Sequence, residues 1–165
     1  MTVIDTQRDT KALTLTFVAE FDASVERVWQ VWEDPRQLER WWGPPSWPAT
    51  FDNFNFTEGG RSNYYMTGPE GEKMHGWWTI TSIQRPNRLE FDDGFADENG
   101  EPTGDIAPTH GVVTFEQIDG RTRMTSVSKF ESVEQFEQMD AMGMEEGMRE
   151  AMGQIDALLA EDVRA

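Results

Sequence analysis

Between residues 144 and 159 an apolar or small residue returns every three or four positions. Met144, Gly147, Met148, Ala151, Met152, Ile155, Leu158 and Leu159 share one helical face, and Glu145, Glu146, Arg149, Glu150 and Gln154 share the other. A helix this two-sided gains its stability by covering an apolar surface. The rest of the chain offers one large candidate, the inner face of a sheet. From 49 to 129 turn signals recur at Glu58-Gly59-Gly60, Gly68-Pro69-Glu70-Gly71, Arg85-Pro86-Asn87 and Asp119-Gly120. They cut the chain into strands over 49–57, 61–67, 74–84, 88–93, 111–118 and 121–130. Asp-Gly between two β-rich runs is a strong hairpin signal, because both central residues of a type I′ turn need positive φ. Such regular punctuation predicts an antiparallel meander; parallel strands would need long crossover connections.

The front of the chain completes the pattern. Leu13, Leu15, Phe17, Ala19 and Phe21 alternate with Thr14, Thr16, Val18 and Glu20, which predicts a half-buried strand over 12–21. Ser24 is placed to cap a helix carrying Val25, Val28, Trp29 and Trp32 on one face, with Glu26 in its first turn. Asp34-Pro35 ends that helix and opens a second, shorter one with Leu38, Trp41 and Trp42 apolar, stopped by Gly43-Pro44-Pro45. Residues 132–142 read as a separate helical turn or two, with Phe136 and Met139 apolar. The order is strand, two short helices, six strands, long helix, and the fold class is α+β. The 165 residues form a single domain, 1–165, with 1–11 expected as a loosely ordered tail and 12–160 as the folded body.

Charge narrows the partners. Fourteen basic against 31 acidic residues leave a net charge of −17, a field that repels phosphate backbones and anionic lipid. Neither nucleic acid nor a membrane surface is expected as a partner. With no Cys, disulfides, thiolate metal sites and Cys nucleophiles are excluded together. The first ten residues hold Asp5, Arg8 and Asp9 and no apolar stretch, so no signal peptide is visible and a cytoplasmic location is expected.

Several words of the sequence carry a resemblance. They are Val28-Trp29, Trp41-Trp42-Gly43-Pro44, Glu58-Gly59-Gly60-Arg61, Pro86-Asn87-Arg88-Leu89-Glu90-Phe91, Gly120-Arg121-Thr122-Arg123 and Gly143-Met144-Glu145-Glu146-Gly147-Met148. In this order, across roughly residues 12–160, the chain resembles the START/Bet v 1-like (SRPBCC) superfamily, in the branch related to the C-terminal domain of the activator of Hsp90 ATPase. The resemblance implies a helix-grip fold: a curved antiparallel sheet of about seven strands wrapped around a long C-terminal helix, with two short helices after the first strand. It also implies a deep cavity between sheet and helix, used by many relatives for apolar small molecules. Two alternatives come with it: a protein-interaction module of the Hsp90 co-chaperone type, and an enzyme acting on a hydrophobic substrate held in the pocket.

Inward parity and helix face nominate Trp32, Trp42, Tyr64, Trp78, Phe91, Phe115, Met144, Met148 and Met152 as the lining of a site for a small hydrophobic or aromatic molecule. Five of the nine Met fall between Met139 and Met152, and thioethers suit irregular, adaptable pockets. Tyr64 is the candidate to orient a ligand through its hydroxyl. Filling a solid core is the competing use of the same residues. Gly147 and Gly153 are read either as space left for a ligand or close backbone approach, or as signs of a frayed helix.

Catalytic and metal constellations do not emerge. His75 and His110, each followed by Gly, have no second His at i+2 or i+4. The acidic stretch 92–105 contains Asp97-x-Asn99-Gly100, part of a calcium loop. Its first and twelfth positions would be Phe95 and Ile106, so a solvated loop is the better reading. No catalytic residue, cofactor or metal ligand is assigned, and a protein partner or homodimer is left open.

Overall fold

The computed structural model describes residues 3–104 and 107–161. Eight antiparallel strands form one sheet: β1 (Val3–Asp9), β2 (Thr14–Phe21), β3 (Ala49–Asn53), β4 (Arg61–Thr67), β5 (Lys73–Gln84), β6 (Arg88–Ala96), β7 (Thr109–Ile118) and β8 (Arg121–Lys129), in the spatial order β1-β2-β8-β7-β6-β5-β4-β3. Helices α1 (Val25–Glu33) and α2 (Pro35–Leu38) follow β2. The chain ends in α3 (Val133–Ala141), α4 (Met144–Met152) and α5 (Ile155–Ala160). Sheet and helices together make the α+β helix-grip fold.

Local chemistry explains the joints. The Ser24 side chain accepts from Arg27 N at 3.2 Å and caps α1, and Asp34 accepts from Arg36 N at 3.0 Å to cap α2. Asp119 and Gly120 both take positive φ, +48° and +80°, and join β7 to β8 in the tight hairpin that Asp-Gly predicts. Along β2, Leu15, Phe17, Ala19 and Phe21 are all buried and the residues between them half-buried.

Three expectations are corrected. The first eleven residues are not a loose tail throughout, because β1 pairs with β2 from Val3 to Asp9. Its sequence shows no apolar face because an edge strand is held mainly by backbone pairing, and Asp5, Gln7, Arg8 and Asp9 are exposed. The sheet therefore has eight strands, not about seven. The long connection after β6 is also shorter than expected, since β6 runs on to Ala96. The turn beyond it is organised by Asp97, whose Oδ1 accepts from Asn99 N at 2.8 Å and Glu101 N at 3.0 Å.

The C-terminal helix is segmented rather than continuous. Gly143 (φ +79°) turns the chain between α3 and α4, a conformation that costs glycine little. Between α4 and α5 the helix tightens without reversing hand: Gly153 and Gln154 stay right-handed, and Gln154 N reaches Ala151 O, three residues back, at 3.1 Å.

The core gathers under α1. Trp29 meets Phe115 edge-on at 5.3 Å, and Trp32 meets Trp41 at 4.7 Å. Trp32 Nε1 donates to the Met124 sulfur and Trp41 Nε1 to the Val31 carbonyl, so two of these indoles keep a partner while buried. No helix among the described residues is long and apolar enough to cross a membrane.

Candidate functional site

The sheet does not meet α4 flush. Between them lies a cavity of about 420 Å³, floored by β4 to β8, walled by the segment after α2 and roofed by α3, α4 and the turn joining them. On β7 and β8 its floor is made of small and polar residues. Gly111, Ser126 and Ser128 point inward from β7 and β8, and Thr109 stands at the start of β7. Seven of the nine methionines line the cavity: Met139, Met142, Met144, Met148 and Met152 make its roof thioether, and Met66 and Met74 come from β4 and β5. A β-carbon at Gly147 would have no heavy atom within 4 Å, so the middle of α4 faces open space. This supports the reading of Gly147 as room left above the sheet. At Gly153 the nearest atoms are carbonyls of the preceding helical turn, at 3.4 Å.

Two glycines lay aromatic rings flat on the floor. A β-carbon on Gly76 would fall 2.4 Å from the Tyr64 ring, and one on Gly111 would fall 3.0 Å from the Phe91 ring. Each ring therefore rests on its neighbouring strand because the residue beneath has no side chain. In both His-Gly doublets it is the glycine that shapes the cavity.

Of the nine nominated residues, Trp32, Trp42, Tyr64, Phe91, Met144, Met148 and Met152 line the cavity. Trp78 and Phe115 do not. Trp78 is wholly buried behind the wall, 4.7 Å from Trp42 and 4.5 Å from Phe91, and Phe115 packs under Trp29. Parity assigns a side chain to the inner face but not to a position along it, and these two lie where that face is filled. Trp41, Trp47, Phe95 and the four further methionines Met66, Met74, Met139 and Met142 also line it.

The residue that sequence reasoning missed is Asp93. It follows Leu89 and Phe91 inward along β6 and reaches the cavity, where its Oδ1 accepts from the Tyr64 hydroxyl at 2.8 Å. Burial is the main reason its carboxyl is pushed up to about 7, against the opposing effect of the Tyr64 hydrogen bond. Burial, then the charge of Asp93, raises the Tyr64 phenol well above its ordinary value. Alternation could have found Asp93, since the same parity that placed Phe91 inward applies two residues on. The acidic run after it hid the signal.

Other polar side chains of the sheet lie elsewhere. Ser62 is buried and accepts from Asn55 N at 2.9 Å, holding the segment after β3. Asn63 donates to the Gly100 carbonyl at 2.9 Å. His110 sits on the outer face between Asp92 Oδ1, 2.7 Å away, and Glu90 Oε1, 3.2 Å away. Partial burial works against its charged ring, but the two carboxylates outweigh it and hold its pKa above the ordinary value. His75 lies at the rim, shared between the cavity and a smaller polar groove of about 250 Å³ that also holds Asp52, Asn63 and Glu98. Among the described residues, no group of three or more His, Asp or Glu is placed to hold a metal ion.

A curved sheet closed over by a C-terminal helix, with an apolar hollow between them, defines a helix-grip protein. The particular lineage follows from comparison: residues 22–160 match the family model of "Activator of Hsp90 ATPase homolog 1-like protein", and the chain belongs to that family. Similar solved structures include a protein from Arthrobacter aurescens, 60% identical, with TM-score 0.93 over 97% of this chain and 93% of that one. Protein Ms6760 from Mycobacterium smegmatis is 49% identical, with TM-score 0.88 over 95% and 96% of the two chains. A Staphylococcus epidermidis protein is 26% identical, with TM-score 0.80 over 98% and 95%. No curated protein matches the chain.

Proposed function

We propose that this protein reversibly binds a small hydrophobic or aromatic molecule in the cavity between the sheet and α4. The observation that carries the reading is the combination of volume and lining. About 420 Å³ lies within the usual range for small-molecule pockets, and its surface is mostly indole, phenyl and thioether. Area removed from water would drive binding at about 25 cal/mol per Å², before ordering costs. Met74 and Met142 are 41% and 52% exposed, and both belong to the cavity rim, so their exposure is explained by the mouth of the site. Of the exposed large hydrophobics among the described residues, that leaves Val133 alone for a protein-docking patch.

Met148→Trp tests the reading. The indole is expected to fill the hollow, abolish the fluorescence and thermal-shift response to lipophilic probes, and change stability by less than about 1 kcal/mol. Unchanged probe binding by that variant would put the site elsewhere. Asp93 favours a second reading, an enzyme acting on a pocket-bound hydrophobic substrate, because a carboxyl that titrates near neutrality suits proton transfer. A bound compound recovered chemically unchanged after prolonged incubation counts against it.

A further inference from the structure

The cavity has a polarity that its apolar lining conceals. Among the described residues, Asp93 is the one carboxylate lining it, and no Lys or Arg joins it there. Its hydrogen-bond partner is the Tyr64 hydroxyl, a neutral donor, and no cation among the described residues acts on it. A carboxylate in an apolar chamber without a counter-charge is costly to keep ionised. The same lining holds the aromatic rings of Trp32, Trp42, Tyr64 and Phe91, and π faces attract cations. The adjoining groove adds Asp52 and Glu98, and the chain as a whole carries −17, so the field at the mouth draws positive charge inward and turns anions away.

We propose that the occupant of the cavity is an organic cation, an apolar and preferably aromatic body that lies against Met148 and Met152 while its protonated primary or secondary amine donates to Asp93. This rests on the cavity being a ligand site and adds the chemical class of the ligand. The ammonium supplies the charge that Asp93 lacks, and the resulting charge-assisted hydrogen bond is about twice as strong as a neutral one. Tyr64 holds the carboxylate in place from the other side, with its ring fixed over Gly76.

Three probes that share one ring and differ in head group separate the possibilities: 1-naphthylmethylamine, 1-naphthalenemethanol and 1-naphthoic acid. Isothermal titration calorimetry at about pH 8, where an amine is protonated and Asp93 ionised, is run on the intact chain and on Asp93→Asn. The amine is expected to bind at least about 10-fold tighter than the alcohol, and the acid weakest of the three. In Asp93→Asn the amine loses that advantage, while the alcohol keeps its affinity within about 2-fold. Equal binding of amine and alcohol, or an amine preference that survives Asp93→Asn, overturns the organic-cation assignment and leaves the hydrophobic site standing. Failure of all three probes to bind the natural chain overturns the site itself. If Asp93→Asn loses every probe, the ranking on the natural chain decides.

Discussion

The two ends of one inner face are built differently. Under α1, the paired residues Phe115 of β7 and Met124 of β8 are fully packed against Trp29 and Trp32. Two steps along the same strands, Val113 faces Ser126; two further, Gly111 faces Ser128. The inward side chains shrink row by row from phenyl to nothing, on strands whose backbone pairing is unbroken. The roof changes in step, from the rigid indoles of α1 to the methionines and Gly147 of α4. A hollow in a helix-grip fold thus needs no gap in the sheet, only a taper of side-chain volume across registered strands.

The contrast can be broken most forcefully by truncation. Phe115→Ala is expected to cost about 3–5 kcal/mol by leaving a void in a packed region, whereas Met148→Ala, on the wall of an existing cavity, costs under about 1 kcal/mol. Equal costs in denaturant melts would show that the two ends are packed alike.

Asp93 sharpens the contrast through pH. Its folded carboxyl titrates at about 7 against an unfolded value near 3.9, so the folded state holds the proton more tightly between those limits. Stability from this group is complete below the unfolded value and is lost as pH rises through about 7, on the order of 4 kcal/mol in all. Asp93→Asn is expected to flatten that part of the stability–pH curve and to raise the melting temperature at pH near 8 more than at pH near 5. Among the described residues, Tyr64 and His75 are the other titratable groups on the lining, and Tyr64 stays neutral over this range because its phenol is raised. A slope unchanged by the substitution would show that Asp93 is solvated.

A smaller effect is expected from Gly76→Ala. The new methyl would meet the Tyr64 ring, lifting it off β5 and breaking its bond to Asp93, at about 1–3 kcal/mol. A crystal structure of the variant with the ring unmoved would contradict the role given to Gly76.

Much of this architecture is written in period and punctuation. The alternation of 14–21, the Asp119-Gly120 hairpin and the two-faced stretch after 144 each carry a physical requirement that the fold meets. β1 escapes because backbone pairing at a polar edge leaves no hydrophobic period. The site was legible by face and illegible by depth. Trp42 and Trp78 look alike in sequence, yet one lines the cavity and the other packs behind it, because strand pairing and α2 decide which indole is covered. Asp93 was legible by parity and lost among acids of the following turn.

The most direct test is a methyl spectrum of the protein labelled with carbon-13 at its methionine methyls, recorded as 1-naphthalenemethanol is added. Ring currents from a guest under α4 should move the signals of Met144, Met148 and Met152, while Met124, buried against Trp32 in the packed end, stays fixed. Signals that all stay fixed, or a Met124 shift as large as that of Met148, would contradict a hollow confined to the α4 end of the sheet.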